Sequence, residues 1–409
     1  MSGDRFIPFR KKDIIGMCAD VLPADTNKEE IVSFCALLVN RIHYEYHQQL
    51  ESLKDNYAAF DPQRDTRTMF NVSDAQQAQS KNRFAKEFAA LLDAANFEKV
   101  TDQDLQHALS EESLFKVRLE VTFDDFEEVV FYRRGESQKT ETIRSLWGLR
   151  KKLVNFTNYD RVAIYITFKD EAYFSKKRKA PLGFTPGSTI IKLFQNVPKA
   201  DLEMLFPNSE VRMRPIDKVV IGGSAVIGGV VVLVTKLGAS IVLLASLLAF
   251  WFGWHDQEVE VTKKHLITFG IGMAVFGSFV FKEWTKFKNR KIRFMKALSD
   301  NLYFKNLDNN AGVFHTLVDA AEEEDCKEAL LAYTFLLNSG EQGATEVQLD
   351  RDIEQWFAQQ YDCNLDFDVT DALRKLLNMD LVTFSEARYT AKPLDEGMRI
   401  LDEHWDNLY

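Results

Sequence analysis

The spacing of apolar and polar positions changes several times along the chain, and each change predicts a different kind of element. Ile31, Phe34, Leu37, Leu38, Ile42 and Tyr46 recur at three- and four-residue steps, and Phe84, Phe88, Leu91 and Leu92 do the same within Ser73–Ala95. Steps of that size put apolar side chains on one helix face. Thr101–Leu109 reads as a short third helix with Thr101 as N-cap. From Phe115 the period falls to two: Phe115, Val117, Leu119, Val121 and Phe123 alternate with Lys116, Arg118, Glu120 and Thr122, as on a half-buried strand. Glu127–Arg134, Lys139–Ile143, Arg161–Lys169, Ser188–Phe194 and Val211–Met213 read as further strands, with Ser145–Asn155 a helix among them. That order predicts a small α+β domain with a mostly antiparallel sheet.

Alternation then gives way to three apolar runs, Val219–Thr235, Leu237–Trp254 and Leu266–Phe281. A hydrocarbon core about 30 Å thick needs roughly 20 residues of helix, so each run is at the short end of a membrane span. Trp251, Trp254 and Trp284 stand where a membrane interface would lie. Both flanks are basic, with Arg212, Arg214 and Lys218 before and Lys282, Lys286, Lys288, Arg290, Lys291, Arg293 and Lys296 after. The loop His255–His265 is mixed in charge. Lys and Arg favour the cytoplasmic flank, so an even number of crossings is expected. The expected form is a transmembrane hairpin of two spans, approximately Leu237–Trp254 and Leu266–Trp284, with three spans as the alternative. In the two-span form the Gly-rich first run is a shallow or re-entrant helix. Gly222, Gly223, Gly228 and Gly229 would let another helix approach closely, including one from a second copy.

Beyond the membrane region, KFKNRKIRFMK is a basic segment interleaved with apolar residues. Helices are expected over Val313–Ala321 and Cys326–Leu337, with Glu322–Glu324 a solvated acidic helix end. Asp350–Tyr361, Asp371–Asn378 capped by Thr370, the strand pair Leu381–Phe384 and Arg388–Ala391, and Leu394–Leu408 have the order of a winged helix. The expected fold class is therefore an α+β membrane protein. Its parts are an N-terminal helical unit (1–110), an α+β domain (111–217), a membrane region (218–284), basic juxtamembrane and connector helices (285–336) and an acidic winged-helix-like domain (337–409).

The net charge of −10 changes this picture because it is uneven: Glu341–Tyr409 holds 16 acidic against 6 basic side chains. Around Arg374 and Lys375 stand Asp366, Asp368, Asp371 and Asp380, which disfavours nucleic acid and suits a protein partner for the acidic domain. Cys18, Cys35, Cys326 and Cys363 show no paired spacing and read as reduced thiols. The N-terminal stretch MSGDRFIPFRKKDII has no secretory signal. No phosphate-binding loop, paired-cysteine, zinc-protease or hydrolase motif occurs, so no catalytic residue, metal ligand or cofactor is assigned. The pairs His43/His47 and His315/Asp319 have helical i,i+4 spacing but lack a third ligand. The sharpest site expectation is electrostatic: Lys286, Lys288, Arg290, Lys291, Arg293 and Lys296, with Arg212 and Arg214, would bind anionic lipid head groups at roughly 1 kcal/mol per side chain. Lys176–Lys179 is a lesser basic loop.

The stretches STIIKLFQNVPKADLEMLFPNSEVRMRPIDKVVIGG, VTKLGAS and KFKNRKIRFMKALSDNLYFKNLDNNAGVFHTLVDAAEEEDCKEALLAY, with the opening RFIPFR, resemble the transmembrane protein 143-like family. The resemblance implies a membrane-anchored domain and no particular reaction. With no transit peptide, the location it implies is a bacterial cell (inner) membrane, multi-pass, with both terminal domains cytoplasmic. The function expected from all of this is a membrane-anchored interaction or scaffold protein held at an anionic bilayer. The alternatives are an oligomeric transporter or channel component assembled through the Gly-rich runs, and a membrane enzyme acting on lipid.

Overall fold

The computed structural model describes residues 5–23, 27–63, 73–101, 105, 118–145, 150–177, 183–212, 226–232, 234–235, 238, 242, 245, 248–249, 251–252 and 262–407. The chain divides into two compact units. A body holds residues 1–107, 123–199 and 305–409, and a second unit holds 108–122 and 200–304.

The body opens with helices α1 (Lys11–Val21), α2 (Lys28–Tyr57) and α3 (Asp74–Ala94). The Asn27 side chain accepts from the Glu29 N–H at the start of α2, and Ser73 with Gln76 forms a reciprocal capping box at α3. A five-stranded antiparallel sheet follows. Its short edge strand β1 (Glu98–Lys99) comes before β2 (Arg118–Glu120), which belongs to the second unit. β3 (Phe126–Ser145) and β4 (Arg150–Phe168) form a long hairpin paired from Phe126↔Phe168 to Ser145↔Arg150, with a register shift between Phe126 and Glu128. Helix α4 (Glu171–Lys177) leads to β5 (Thr189–Pro198), and the second unit begins beyond it with β6 (Glu210–Arg212). In that unit β2 pairs with β6, and helix α5 (Lys263–Lys305) closes it. The chain then re-enters the body as β7 (Asn306–Asn309) on the free edge of β5, giving the sheet order β1-β3-β4-β5-β7.

Asn310 fixes that re-entry. It is buried with φ +48°, its N–H donates to the Ile191 carbonyl at 2.7 Å, and its Oδ1 accepts from the Ile191 N–H at 3.1 Å. Asn tolerates this left-handed backbone because its short polar side chain bonds locally. Helix α6 (Ala311–Asn338) starts immediately after it and runs through the core. α7 (Glu346–Tyr361), α8 (Val369–Asn378), the hairpin β8 (Val382–Ser385) and β9 (Arg388–Ala391), and α9 (Leu394–Asp406) complete the chain.

One continuous apolar core joins α1–α3, the sheet and α6–α9. Its densest part is aromatic: the Phe84 ring lies 5.3 Å from Tyr57, 5.5 Å from Phe60, 5.4 Å from Phe88 and 5.4 Å from Phe314. Elsewhere Phe34 stacks on Tyr333 at 4.2 Å, and Gly397 of α9 presses on that stack. A Cβ at residue 397 would come within 2.9 Å of the Phe34 ring, so Gly397→Ala should lower the melting temperature measured by circular dichroism.

Several expectations are corrected. The two- or three-span hairpin is not found: among the described residues a single helical stretch, Leu266–Lys286, is long and apolar enough to cross a membrane. Of the Gly-rich run, residues 226–232 are α-helical and residues 234–235 are in a π turn. Ser145–Asn155 is not a helix, because Leu153, Val154 and Asn155 pair with Thr142, Glu141 and Thr140 in the long hairpin. The elements read as a winged-helix-like tail occur in the expected order, yet they share the core of α1, α2 and α6. Glu322–Glu324 is no solvated helix end but the interior of an unbroken α6. Residues 102–104 and 106–109 of the expected third helix lie outside the described residues.

Candidate functional site

The charged residues that the body gathers sit on α6. Turns of this helix on either side of the charges are apolar, with Val313, Phe314, Leu317 and Val318 before and Ala329, Leu330, Leu331 and Ala332 after, all buried. The intervening EEEDCKE is therefore carried into the interior, where each charge needs a partner.

The first half of the run binds the N-terminal segment. Lys327 and Glu324, both 1% exposed, form an ion pair at 2.5 Å. Lys327 Nζ also donates to the Ile7 carbonyl at 2.9 Å, and Glu324 Oε2 accepts from the Ile7 N–H at 3.1 Å. The same ammonium lies 4.8 Å from the centre of the Phe6 ring. Glu322 takes Lys11 at 3.1 Å and His43 Nδ1 at 2.7 Å, while Glu323 accepts from the Lys11 backbone at 3.2 Å. RFIPFRK thus crosses the helix as a strap pinned at its backbone.

The second half faces α2 and α8. Asp325 accepts from the Tyr46 hydroxyl and pairs with Lys375, which also holds Asp371. Glu328, 4% exposed, lies one turn beyond Asp325. Burial pushes the carboxyls of Glu324, Asp325 and Glu328 upward against the pull of the lysines, and Glu328 rises farthest above the usual glutamate value. Burial likewise raises the Cys18 thiol to about 11 and those of Cys35 and Cys326 to about 12, so these cysteines are poor nucleophiles.

A surface cleft of about 350 Å³ lies where α7 meets the start of α8, lined by Glu346, Asp350, Asp366 and Asp368. Arg5 reaches into it and pairs with Asp368 at 3.2 Å. Asp350 Oδ1 is enclosed without a hydrogen bond, and burial, together with Glu354 and the other carboxylates, raises this carboxyl. A carboxyl with a raised folded-state pKa lowers stability once the pH passes its unfolded value. Asp350→Asn should therefore raise the melting temperature near neutral pH and leave it unchanged near the unfolded value of 3.8, as thermal melts would show.

The residues expected to bind lipid lie on or near the second unit. Lys286, Lys288, Arg293 and Lys296 are exposed on α5, whereas the side chains of Arg290 and Lys291 lie outside the described residues. Lys286 pairs with Glu283 at 2.5 Å, and Lys288 sits 5.8 Å over the Trp284 ring. Arg212 stands opposite Arg118 in the β2–β6 pair, and Arg214 lies outside the described residues. His315 and Asp319 are exposed on α6, and His43 is engaged with Glu322. Sequence reasoning missed the buried run. Its signal was present: the turn that follows, Ala329–Ala332, is apolar on every face, so the charged turn before it runs into the core.

Residues 159–312 match a family described as a protein of unknown function (DUF3754). No solved structure matches the chain. The matched region runs from within β4 to the first residues of α6, so it includes the exposed apolar helix and the Asn310 re-entry. The buried run Glu322–Glu328 falls beyond it.

Proposed function

We propose that this is a membrane-attached interaction protein, whose second unit enters the bilayer and whose body stands in water at the anionic surface. The observation that carries this reading is the makeup of α5. Its segment Leu266–Lys286 is apolar and only 6% buried, with Leu266, Ile267, Ile271 and Phe281 more than 60% exposed. So continuous an apolar surface calls for a non-aqueous partner. Trp284 and Lys282 follow at the end of that segment, where interface anchors belong.

Helix rise refines the lipid contacts. At about 1.5 Å per residue, Lys282, Lys286 and Lys288 lie within about 10 Å of Phe281, whereas Arg293 and Lys296 lie about 20 Å away. The head-group layer is only roughly 5–8 Å deep on each side, so on an upright helix Lys282 and Lys286 meet it, Lys288 stands just past it, and the two more distant cations do not reach it. Body residues before and after the second unit share one core, which supports their standing on one face of the bilayer. The acidic cleft on the body suits a basic partner segment.

Alkaline carbonate extraction of membranes tests the reading. The chain should stay in the pellet, and its release into the supernatant would overturn the proposal. Ile271→Arg with Ser278→Arg should shift it to the soluble fraction, since each buried arginine costs roughly 2.5–3.5 kcal/mol of insertion free energy.

A further inference from the structure

We infer that Asp325, Glu328 and Asp371 form a binding site for one hard divalent cation, which competes for its place with the Lys375 ammonium. The site is built between two helices of the body. Asp325 and Glu328 are i,i+3 on α6 and share a face, while Asp371 stands in the first turn of α8, with Lys375 one turn on. One oxygen from each carboxylate lies within 4.8 Å of the others, a spacing that a single ion with oxygen ligands at about 2.1–2.4 Å can bridge.

Glu328 points to a ligand beyond the lysine. Lys375 grips Asp325 and Asp371 directly, yet Glu328 makes no hydrogen bond or ion pair among the described residues, although it is 4% exposed and aimed into the group. Arg374 also pairs with Asp371, yet two cations leave one of the three carboxylates unbalanced and neither pairs with Glu328, whereas a divalent ion bonds all three. The group has oxygen donors only, which selects Mg²⁺, Ca²⁺ or Mn²⁺ over zinc or copper. Tyr46, donating to the other oxygen of Asp325, orients that carboxylate from outside, as second-layer groups do at metal sites. Lys375 has a way out: its side chain is 18% exposed, so the ammonium can swing toward water when an ion enters.

The test is Mn²⁺ titration of the full chain, stripped with chelator and purified in detergent, followed by the loss of the free Mn²⁺ paramagnetic resonance signal. The wild-type chain should take up one Mn²⁺. Glu328→Gln keeps the shape and removes the charge, and should weaken uptake at least tenfold while the chain still melts cooperatively. Lys375→Met removes the competitor; it should bind Mn²⁺ more tightly, and its melting temperature should rise more on Mn²⁺ addition than that of the wild type. No uptake by the wild-type chain overturns the inference. Uptake that Glu328→Gln leaves unchanged also overturns it, because the ion is then held by the acidic surface elsewhere. Weaker binding by Lys375→Met removes the competition between lysine and ion.

Discussion

Lys327→Met should destabilise the body by about 3–5 kcal/mol, because it leaves the Glu324 carboxylate buried without its ion-pair partner. Both side chains are 1% exposed, so solvent cannot take over the role of the lysine. The same substitution removes the donor to the Ile7 carbonyl. Urea unfolding followed by circular dichroism measures the loss. Limited proteolysis should show faster cleavage around residues 5–11, since the strap is pinned through that bond. Adding Glu324→Gln should recover most of the stability: the amide keeps an acceptor for the Ile7 N–H and removes the unpaired charge. If the double variant is no more stable than Lys327→Met alone, the loss comes from packing of the lysine stem and not from charge.

Phe84→Ala should cost a similar amount, about 3–5 kcal/mol, for an unrelated reason. Phe84 is 0% exposed and touches Tyr57, Phe60, Phe88, Tyr165 and Phe314, so it joins α2, α3, the sheet and α6 at one point. Deleting the ring leaves a cavity lined by residues from every layer, which none of them can fill without moving its own element. Phe84→Leu should lose much less. The same urea series reads both variants, and equal losses for Ala and Leu would mean that ring geometry rather than filled volume matters here.

The two predictions draw on what was legible and illegible in the sequence. Phe84 and Phe88 stood out because helical periodicity reports burial directly, and the strand readings Glu127–Arg134, Arg161–Lys169 and Ser188–Phe194 fall on β3, β4 and β5. Residues Ser145–Asn155 misled because Leu153 and Val154 are adjacent apolar positions paired with the polar Thr142 and Glu141, so no alternation marks the strand. The charged run of α6 misled for a different reason. Its partners Ile7, Lys11, His43, Tyr46 and Lys375 come from both ends of the chain, and no local window holds them together. The number of membrane spans was overestimated against the one long apolar helix among the described residues, because apolar run length alone does not count spans. The acidic composition of the tail was legible, but the pairing of its Lys375 with Asp325 depends on α6 lying alongside.

The sheet receives its last strand late, and this sets an order of events during synthesis. β5 ends at Pro198, but the strand that covers its edge and the helix that fills the core begin only at Asn306 and Ala311. A nascent chain that has reached Lys263 therefore carries an open sheet edge and an uncovered aromatic cluster, with the apolar helix emerging next. Closing so distant a pair is slow, because loop entropy is lost before the contacts repay it. The apolar segment leaves the ribosome before the body can close, so under the proposed membrane attachment engagement with a bilayer precedes completion of the core. A chain stalled at that stage presents an unpaired strand to its neighbours, the condition under which strand-mediated aggregation begins.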